Sequence, residues 1–180
     1  AQTKLKNIDL GSGRKIEICN AFIKDKDLNH DSIKSAAEKL KSEGAQVFVA
    51  SEAFGVDDMS AEQQIYDVTK GEMGMETSIA SDITKLYGLT RRTRTAAINA
   101  SILPKMLNTA NQTEQSVRGA GVKVPLMIMR GDGGVMEINE MKKRPVLTML
   151  SGPAASVMGS LMYLRASNGV YFEVGGTTTN

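Results

Sequence analysis

The sequence has little that would cross-link it or hold a metal: it contains one cysteine, Cys19, one histidine, His30, and no tryptophan. A single cysteine cannot form an internal disulfide, and one histidine cannot supply the usual ligand set of a zinc site. Aromatic residues make up only 4% of the chain, which argues against a base-stacking platform for single-stranded nucleic acid. The core is therefore expected to be aliphatic, with 11 methionines filling its gaps.

Neither sign of charge is in excess, because 22 lysines and arginines oppose 20 aspartates and glutamates, for a net charge of +2. Without a dominant basic stripe, the chain is not expected to bind nucleic acid through bulk electrostatics. The longest apolar run, residues 124–129, is far too short to span a bilayer. Residues 1–7 are polar and carry lysines, unlike a signal peptide. We therefore expect a cytoplasmic protein with no nucleic-acid or membrane partner.

Strand and helix patterns alternate along the 180 residues. Residues 15–23 are rich in isoleucine and have no helical period, so we predict a strand there. Asp31 can cap a helix that ends at Gly44. Residues 47–50 are an apolar run typical of a strand buried in a parallel sheet. These segments predict a strand–helix–strand unit with a right-handed crossover.

The alternation continues through the rest of the chain. Ser60 and Gln63 form a capping-box pair at the start of a short helix. Pro104 is expected to kink a long helix capped by Thr90, and a helix opening at Gly152 is apolar nearly all round and so is expected to be buried. The other predicted elements are a loop at 71–84 with room for one short strand, a buried strand at 125–129 and a final strand at 170–174. This order predicts an α/β fold, a layered mixed or parallel sheet with flanking helices.

Two glycine turns follow predicted strands, at 130–134 and 173–179, and ligands of α/β folds bind beyond the carboxyl ends of strands. In the second turn, Gly175 and Gly176 lack a Cβ, so their amides can approach an anion. Glu173 could hold a hydrated magnesium ion beside a bound phosphate. The hydroxyl donors of this turn are Thr177, Thr178 and Thr179. The alternative is a plain β-hairpin turn, for which Gly-Gly between β-formers is a strong signal.

Two further sets of charged residues stand out. Asp132, in the first glycine turn, could orient a water or a substrate amine, although an ordinary turn aspartate that bonds its own backbone is the favoured alternative. Arg91, Arg92 and Arg94 crowd the first turn of a helix, where cations oppose the helix dipole. An acidic ligand or neighbouring carboxylates would compensate them, but a solvated face is the favoured interpretation.

Longer stretches carry a family resemblance. They are VASEAF (49–54), LYGLTRRTRTAAINASILPKM (86–106), PLMIMRGDGGVM (125–136) and RPVLTMLSGPAASVMG (144–159). These stretches resemble the hydantoinase/oxoprolinase family, from about residue 15 to the end of the chain. SGPAA (151–155) and YFEVGGTTT (171–179) also resemble the hinge helix and second phosphate loop of actin-like ATPases. The fold implied is part of one lobe of an actin-like, ribonuclease H-like ATPase.

The resemblance implies an ATP-dependent hydrolase of cyclic amides, with ATP and Mg²⁺ as cofactors. By position, the phosphate would be held by Gly175, Gly176, Thr177 and Thr178. Glu173 would sit near the metal, and Asp132, Gly133 and Gly134 would face the cleft. The implied partners are a small cyclic amide and either the rest of the same chain or a companion hydantoinase subunit.

The chain departs from the family pattern at several positions. The family usually has aspartate where this chain has Glu173 and Asn180, and often Ser-His-Glu where it has Ala-Ser-Asp at 80–82. A first phosphate loop is expected upstream of Lys15, and an adenosine-binding half after Asn180. We therefore expect a fragment that alone binds ATP weakly and does not turn it over.

The predicted organisation is a polar leader at 1–14, a single α/β domain at 15–174 and a truncated phosphate-loop-like turn at 175–180. Within the domain, an N-terminal hydantoinase region is expected to give way to a hydantoinase A region near residue 85. The leading function is a fragment of a hydantoinase/5-oxoprolinase-like hydrolase. The alternatives are a non-catalytic α/β scaffold or subunit-contact module, and an acetone-carboxylase-like ATPase subunit that uses the same loop on a ketone.

Overall fold

The structure, a computed structural model, describes residues 4–165, 168–177 and 179. It separates into two compact units, Ala1–Pro104 and Lys105–Asn180. The sequence predicts one domain over residues 15–174, so this division is a finding of the structure. The division falls at Pro104, where the sequence predicts a kink in a long helix.

The first unit contains, in order, β1 (Ile8–Gly11), β2 (Arg14–Ile16), α1 (His30–Ser42), β3 (Phe48–Ala50), α2 (Ser60–Tyr66), β4 (Thr77–Ile79), α3 (Ala80–Ile83) and the first part of α4 (Leu89–Gly119). The second unit contains the rest of α4, β5 (Met127–Met129), β6 (Val135–Glu137), α5 (Ile138–Lys143) and α6 (Ser151–Leu164). Strands pair as two antiparallel hairpins, β1–β2 and β5–β6, and one parallel pair, β3–β4. The predicted mixed α/β architecture with flanking helices is confirmed. Within the described ranges, no helix has both the length and the apolar composition needed to cross a bilayer.

The β1–β2 hairpin lies partly in the segment predicted as a polar leader, residues 1–14. Ile8 pairs with Ile16 across the hairpin and is buried. The strand predicted over residues 15–23 is wrong beyond Ile16, where the chain becomes irregular. The apolar residues that follow Ile16 in this segment lie outside the strands, and Phe22 is 60% exposed.

The helix predicted between Asp31 and Gly44 is confirmed as α1, but its N-cap residue lies earlier. Asn29 and Ser32 form a reciprocal capping box, in which the Asn29 side chain accepts the Ser32 N–H at 3.0 Å. Asp31, the predicted cap, lies inside the first turn, where its charge suits the helix dipole. Ile33 is buried, and Gly44 follows the helix with a φ of +100°.

The prediction that β3 belongs to a parallel strand pair is confirmed, but its partner is not the segment 15–23. β3 pairs with β4, a three-residue strand within the loop predicted at 71–84. The register joins Phe48 to Thr77 and Ala50 to Ile79. Because parallel strands end at the same edge of a sheet, the residues after β3 and those after β4 lie together.

The crossover between these strands is α2, which continues as a π-helix, Asp67–Glu72. The predicted capping box at its start is wrong. Met59 is the N-cap residue and makes no side-chain cap bond, while the Ser60 amide donates to Asp58. The Gln63 side chain instead donates forward to Asp67 at 2.7 Å.

In the second unit, α4 and the β5–β6 hairpin enclose a small aliphatic and methionine-rich core. Its buried members are Ala110, Met136, Ile138 and Met141. β5 was predicted to be buried, and that is wrong for Met127, which is 52% exposed. Only one face of this two-stranded hairpin packs against the core, so side chains on the other face remain exposed to solvent.

The predicted burial of the last helix is also wrong. No residue of α6 is buried, and Met162 and Tyr163 are 76% and 88% exposed. The strand predicted at 170–174 is reduced to a single bridge between Val174 and Thr179. The second unit therefore leaves large apolar side chains exposed on α6 and on residues 170–174, because its described elements cover these segments only in part.

Candidate functional site

The second glycine turn is open to solvent. Val174 and Thr179 form an antiparallel bridge across it, so the turn has the hairpin form. Gly175, Gly176 and Thr177 are exposed, and a Cβ added at Gly176 would meet no atom within 4 Å. Thr178 and Asn180 lie outside the described residues.

Glu173, just before this turn, has a buried carboxylate oxygen without a hydrogen-bond partner in the described part of the chain. A buried acceptor of this kind suits a hydrated cation, and the open space at Gly176 leaves room for an anion to approach the main chain. The turn therefore fits a nucleotide phosphate with a magnesium ion held through water. The described residues contain no group of three or more His, Cys, Asp or Glu side chains placed to bind a metal directly.

The first glycine turn connects β5 to β6 and is closed by its own hydrogen bonds. The Arg130 N–H donates to the Gly134 carbonyl at 2.8 Å, and the Gly134 N–H donates to the Asp132 carboxylate at 3.0 Å. Arg130 also forms an ion pair with Asp132. The Gly134 amide, together with the Arg130 charge, holds the pKa of Asp132 below its usual value. The Asp132 carboxylate is therefore ionised and engaged within its own turn.

The other glycines of this turn lie against protein atoms. The Gly131 N–H donates to the Leu147 carbonyl at 2.8 Å, and a Cβ at Gly131 would lie 2.0 Å from the Met149 carbonyl oxygen. Gly133 has a φ of +84°, and a Cβ added there would lie 3.0 Å from the Met158 side chain of α6. Glycine is thus required at Gly131 by close packing and at Gly133 by its backbone conformation.

A buried polar network, which the sequence did not reveal, lies at the carboxyl edge of the β3–β4 pair. Glu62 of α2 is completely buried. Its carboxylate accepts the Glu52 N–H at 2.8 Å, the Ser81 N–H at 2.9 Å and the Ser81 hydroxyl at 3.0 Å. A Cβ at Gly55 would come within 2.7 Å of the same carboxylate. The carboxylate thus joins the segment after β3 to the segment after β4.

Arg92 completes this network from α4. It is 1% exposed, and its guanidinium donates to the carbonyls of Leu86, Glu52 and Ala53. The expectation that this arginine belongs to a solvated face is therefore wrong, whereas its neighbours Arg91 and Arg94 are exposed. Unfavourable placement in the first helical turn was the only sequence signal. The compensation comes from backbone carbonyls, which sequence patterns cannot locate.

Comparisons with known proteins agree with the resemblance. Residues 92–180 match the family model described as hydantoinase/oxoprolinase. An uncharacterized protein of Methanocaldococcus jannaschii is 26% identical over 155 residues, which cover 84% of this chain and 23% of that protein. A nucleotide-free structure of acetone carboxylase, from work on ATP-dependent acetone carboxylation, is similar with a TM-score of 0.68 and 21% identity. The similarity covers 83% of this chain and 22% of the acetone carboxylase chain.

The comparisons also show what fraction of each relative's length this chain covers. It spans less than a quarter of the length of each of these two proteins. The family match contains both glycine turns, whereas Glu62 and Ser81 precede it. The likeness to acetone carboxylase shows the fold of the chain.

Proposed function

Residues 92–180 belong to the hydantoinase/oxoprolinase family, and on that premise we propose that the chain is a section of an ATP-dependent enzyme that opens cyclic amides. The remainder of the enzyme would be further chain or a companion subunit, because the relatives are more than four times as long as the matched segment. We place this enzyme in the cytoplasm, since a chain with one cysteine does not depend on an oxidising compartment.

One observation carries the nucleotide part of the proposal. The Glu173 carboxylate has a buried oxygen without a partner in the described chain, and it directly precedes an exposed glycine turn. An unsatisfied buried acceptor costs roughly 1–3 kcal/mol. A magnesium-bound water that donates to this oxygen would remove that cost.

The chain's own residues would position phosphate rather than perform covalent chemistry. The amides of Gly175 and Gly176 and the hydroxyl of Thr177 would donate to phosphate oxygens, and Glu173 would orient a water on the cation. When bound, ATP would supply the phosphoryl group that activates a ring carbonyl towards water. Thr178 and Thr179 would extend the same set of hydroxyl donors.

A ketone is the second candidate substrate, because the similar solved structure is an acetone carboxylase. The same phosphate turn would serve either substrate. Which carbonyl is activated would depend on pocket residues that the turn does not supply.

The exposed apolar surface of α6 supports the proposal that the chain is one section of a larger body. Val157, Leu161 and Met162 are 42%, 42% and 76% exposed. Large apolar patches on a folded surface usually mark an interface. Contact with the rest of the enzyme would bury this surface.

The test is phosphate release from ATP and Mg²⁺, measured for the 180-residue chain and for the complete product of its gene. Each is assayed with 5-oxoproline, with hydantoin, and with acetone plus bicarbonate. We expect no turnover by the chain alone and substrate-dependent release by the complete product. Turnover by the chain alone at an ordinary enzyme rate of about 10 per second would contradict the proposal.

A binding measurement separates the site from the substrate. We expect Glu173→Gln to weaken Mg²⁺-ATP binding to the complete product, and Glu137→Gln, at an exposed position of the same unit, to leave it unchanged. Equal affinities for these two variants would remove Glu173 from the site. No ATP binding by any form would support the non-catalytic scaffold instead.

A further inference from the structure

The first unit contains a cavity of about 170 Å³ that no predicted site includes. It is several times larger than the volume of about 30 Å³ that one water occupies in the liquid. It is smaller than the pockets of about 300 Å³ and more that hold drug-sized ligands. One wall is apolar and comes from α1, through Ile33, Ala36, Ala37 and Leu40. The cavity therefore has room for a small ligand with an aliphatic part.

The polar lining of the cavity is acidic. Asp25 and Glu52 line it, and no lysine, arginine or histidine does. The hydroxyls of the other two polar lining residues are already engaged: Ser51 bonds Thr93 at 2.6 Å, and Thr69 donates to the Ile65 carbonyl at 2.7 Å. Within the described chain, neither carboxylate has a side-chain hydrogen bond or ion pair, so both are available to a ligand.

The polar network described above fixes the position of Glu52. Its N–H is held by Glu62 and its carbonyl by Arg92. Burial raises the pKa of the Glu52 carboxyl, and the negative charges of Asp25, Glu62 and Asp58 raise it further, while Arg92 opposes them. The Arg92 guanidinium donates to the carbonyls of Leu86, Glu52 and Ala53 and forms no ion pair with Asp25 or Glu52 within the described chain, so the carboxylates at the cavity lack a direct counter-charge.

We propose that this cavity binds a small molecule that carries a primary ammonium group on a short aliphatic chain. The ammonium would lie between Glu52 and Asp25, and the aliphatic chain would lie against α1. An ammonium group can donate to both carboxylates at once, which relieves their repulsion. The apolar wall favours an organic cation over a hydrated metal ion. This inference is independent of the proposed ATP chemistry, since the lining residues all precede the family match.

The test is a titration of the 180-residue chain with n-butylammonium, followed by amide and methyl chemical shifts in NMR spectra. n-Butanol, butyrate and Mg²⁺ are titrated as matched probes. We expect saturable shifts at Ile33, Leu40 and Glu52 with n-butylammonium, and binding at least about tenfold weaker for n-butanol, which lacks the charge. Equal binding of n-butanol would reduce the site to an apolar void and overturn the proposal, as would saturable binding of Mg²⁺ in place of the amine.

Substitutions test which carboxylates bind the ammonium group. Glu52→Gln and Asp25→Asn are each expected to weaken n-butylammonium binding by about tenfold, because each removes one of the two carboxylates. Glu38→Gln, on the exposed side of α1, is the matched control and should leave the affinity unchanged. Ala36→Leu would occupy the apolar end and should also weaken binding. Unchanged affinity in both carboxylate variants, with the fold confirmed by their amide spectra, would overturn the proposal.

Discussion

Glu62 and Arg92 hold the backbone of the same residue, Glu52, from two sides. The Glu62 carboxylate accepts the Glu52 N–H at 2.8 Å, and the Arg92 guanidinium donates to the Glu52 carbonyl. Both side chains are buried, at 0% and 1% exposure. Main-chain groups therefore supply most of the hydrogen-bond partners of each charge, and the segment that follows β3 is fixed in place as a result.

The first prediction concerns the shape of the arginine. Arg92→Lys should lower the free energy of unfolding by about 2–3 kcal/mol, because an ammonium cannot reproduce the planar fork that reaches three carbonyls. Urea unfolding monitored by circular dichroism measures this change. Arg91→Lys, at an exposed position in the same helical turn, is the control and should change stability by less than about 0.5 kcal/mol.

A matching change on the acidic side tests whether the two residues act together. Glu62→Gln leaves one carbonyl oxygen for three donors, so we expect a loss of about 1–3 kcal/mol. If Glu62 and Arg92 stabilise the same segment, the double variant should lose less than the sum of the single variants. Simple additivity would show that they act independently.

The second prediction concerns the turn between β5 and β6. Gly131→Ala should destabilise the second unit by about 2–4 kcal/mol, because the new Cβ would lie 2.0 Å from the Met149 carbonyl oxygen. Thermal unfolding of the variant is the measurement. Gly159→Ala, where a Cβ meets no atom within 4 Å, should leave stability unchanged or raise it slightly, since alanine favours a helix. A neutral Gly131→Ala would mean that the turn is not packed against the Met149 segment.

The sequence predicted those parts of the fold that local patterns determine. The helices α1 and α4 and the glycine turn after β5 follow from apolar periodicity and turn residues, whereas the predicted N-cap residues were misplaced. The position and partner of strand β4 did not follow from such patterns, because three residues, Thr77–Ile79, carry too little pattern to be located within the segment 71–84. Their strand conformation depends on pairing with β3, which is a long-range contact.

The candidate sites also differ in whether local sequence patterns could reveal them. The glycine turns could be found because glycine has a local signature, whereas Glu62 looked like an ordinary surface residue of an amphipathic helix. Its burial depends on Ser81, which is 19 residues away in the sequence. The burial of α6 was predicted from its composition, but composition reports only how apolar a helix is and not whether another element covers it.

The third prediction uses the single histidine as a pH probe. His30 bonds Glu72 through Nε2 at 2.8 Å and Asp31 through Nδ1 at 3.2 Å. Its pKa is raised above the ordinary 6.5, first by the hydrogen bond to Glu72 and then by that to Asp31. The resulting stabilisation should be fully present below pH 6.5 and lost as the pH rises through the higher pKa of the folded state.

Unfolding experiments at two pH values test whether the stabilisation by His30 is lost as the pH rises. Glu72→Gln should lose more stability, relative to the unmodified chain, at pH about 5.5 than at pH about 8. An NMR titration of the His30 ring should show its pKa falling in the same variant. A loss that is equal at both pH values would assign Glu72 a packing role instead.

The last prediction concerns Glu52. Its effect on the pH dependence of stability is opposite in sign to that of a carboxylate that stabilises the fold when ionised. Its pKa is raised above the ordinary 4.5 by burial and by the nearby carboxylates. The folded chain thus holds the proton more tightly than the unfolded chain, and stability falls as the pH rises from 4.5 through the folded pKa. Glu52→Gln cannot ionise, so relative to the unmodified chain it should be more stable at pH 7 than at pH 4, by urea unfolding.

Ligand binding should reverse this order. With n-butylammonium present at pH 7, the unmodified chain gains a counter-charge at Glu52 that the glutamine variant cannot use, so the unmodified chain should become the more stable of the two. Glu38→Gln should follow the unmodified chain in every condition, because its position faces solvent. If the glutamine variant remained more stable at every amine concentration, the charge at Glu52 would be a cost to folding that no amine offsets.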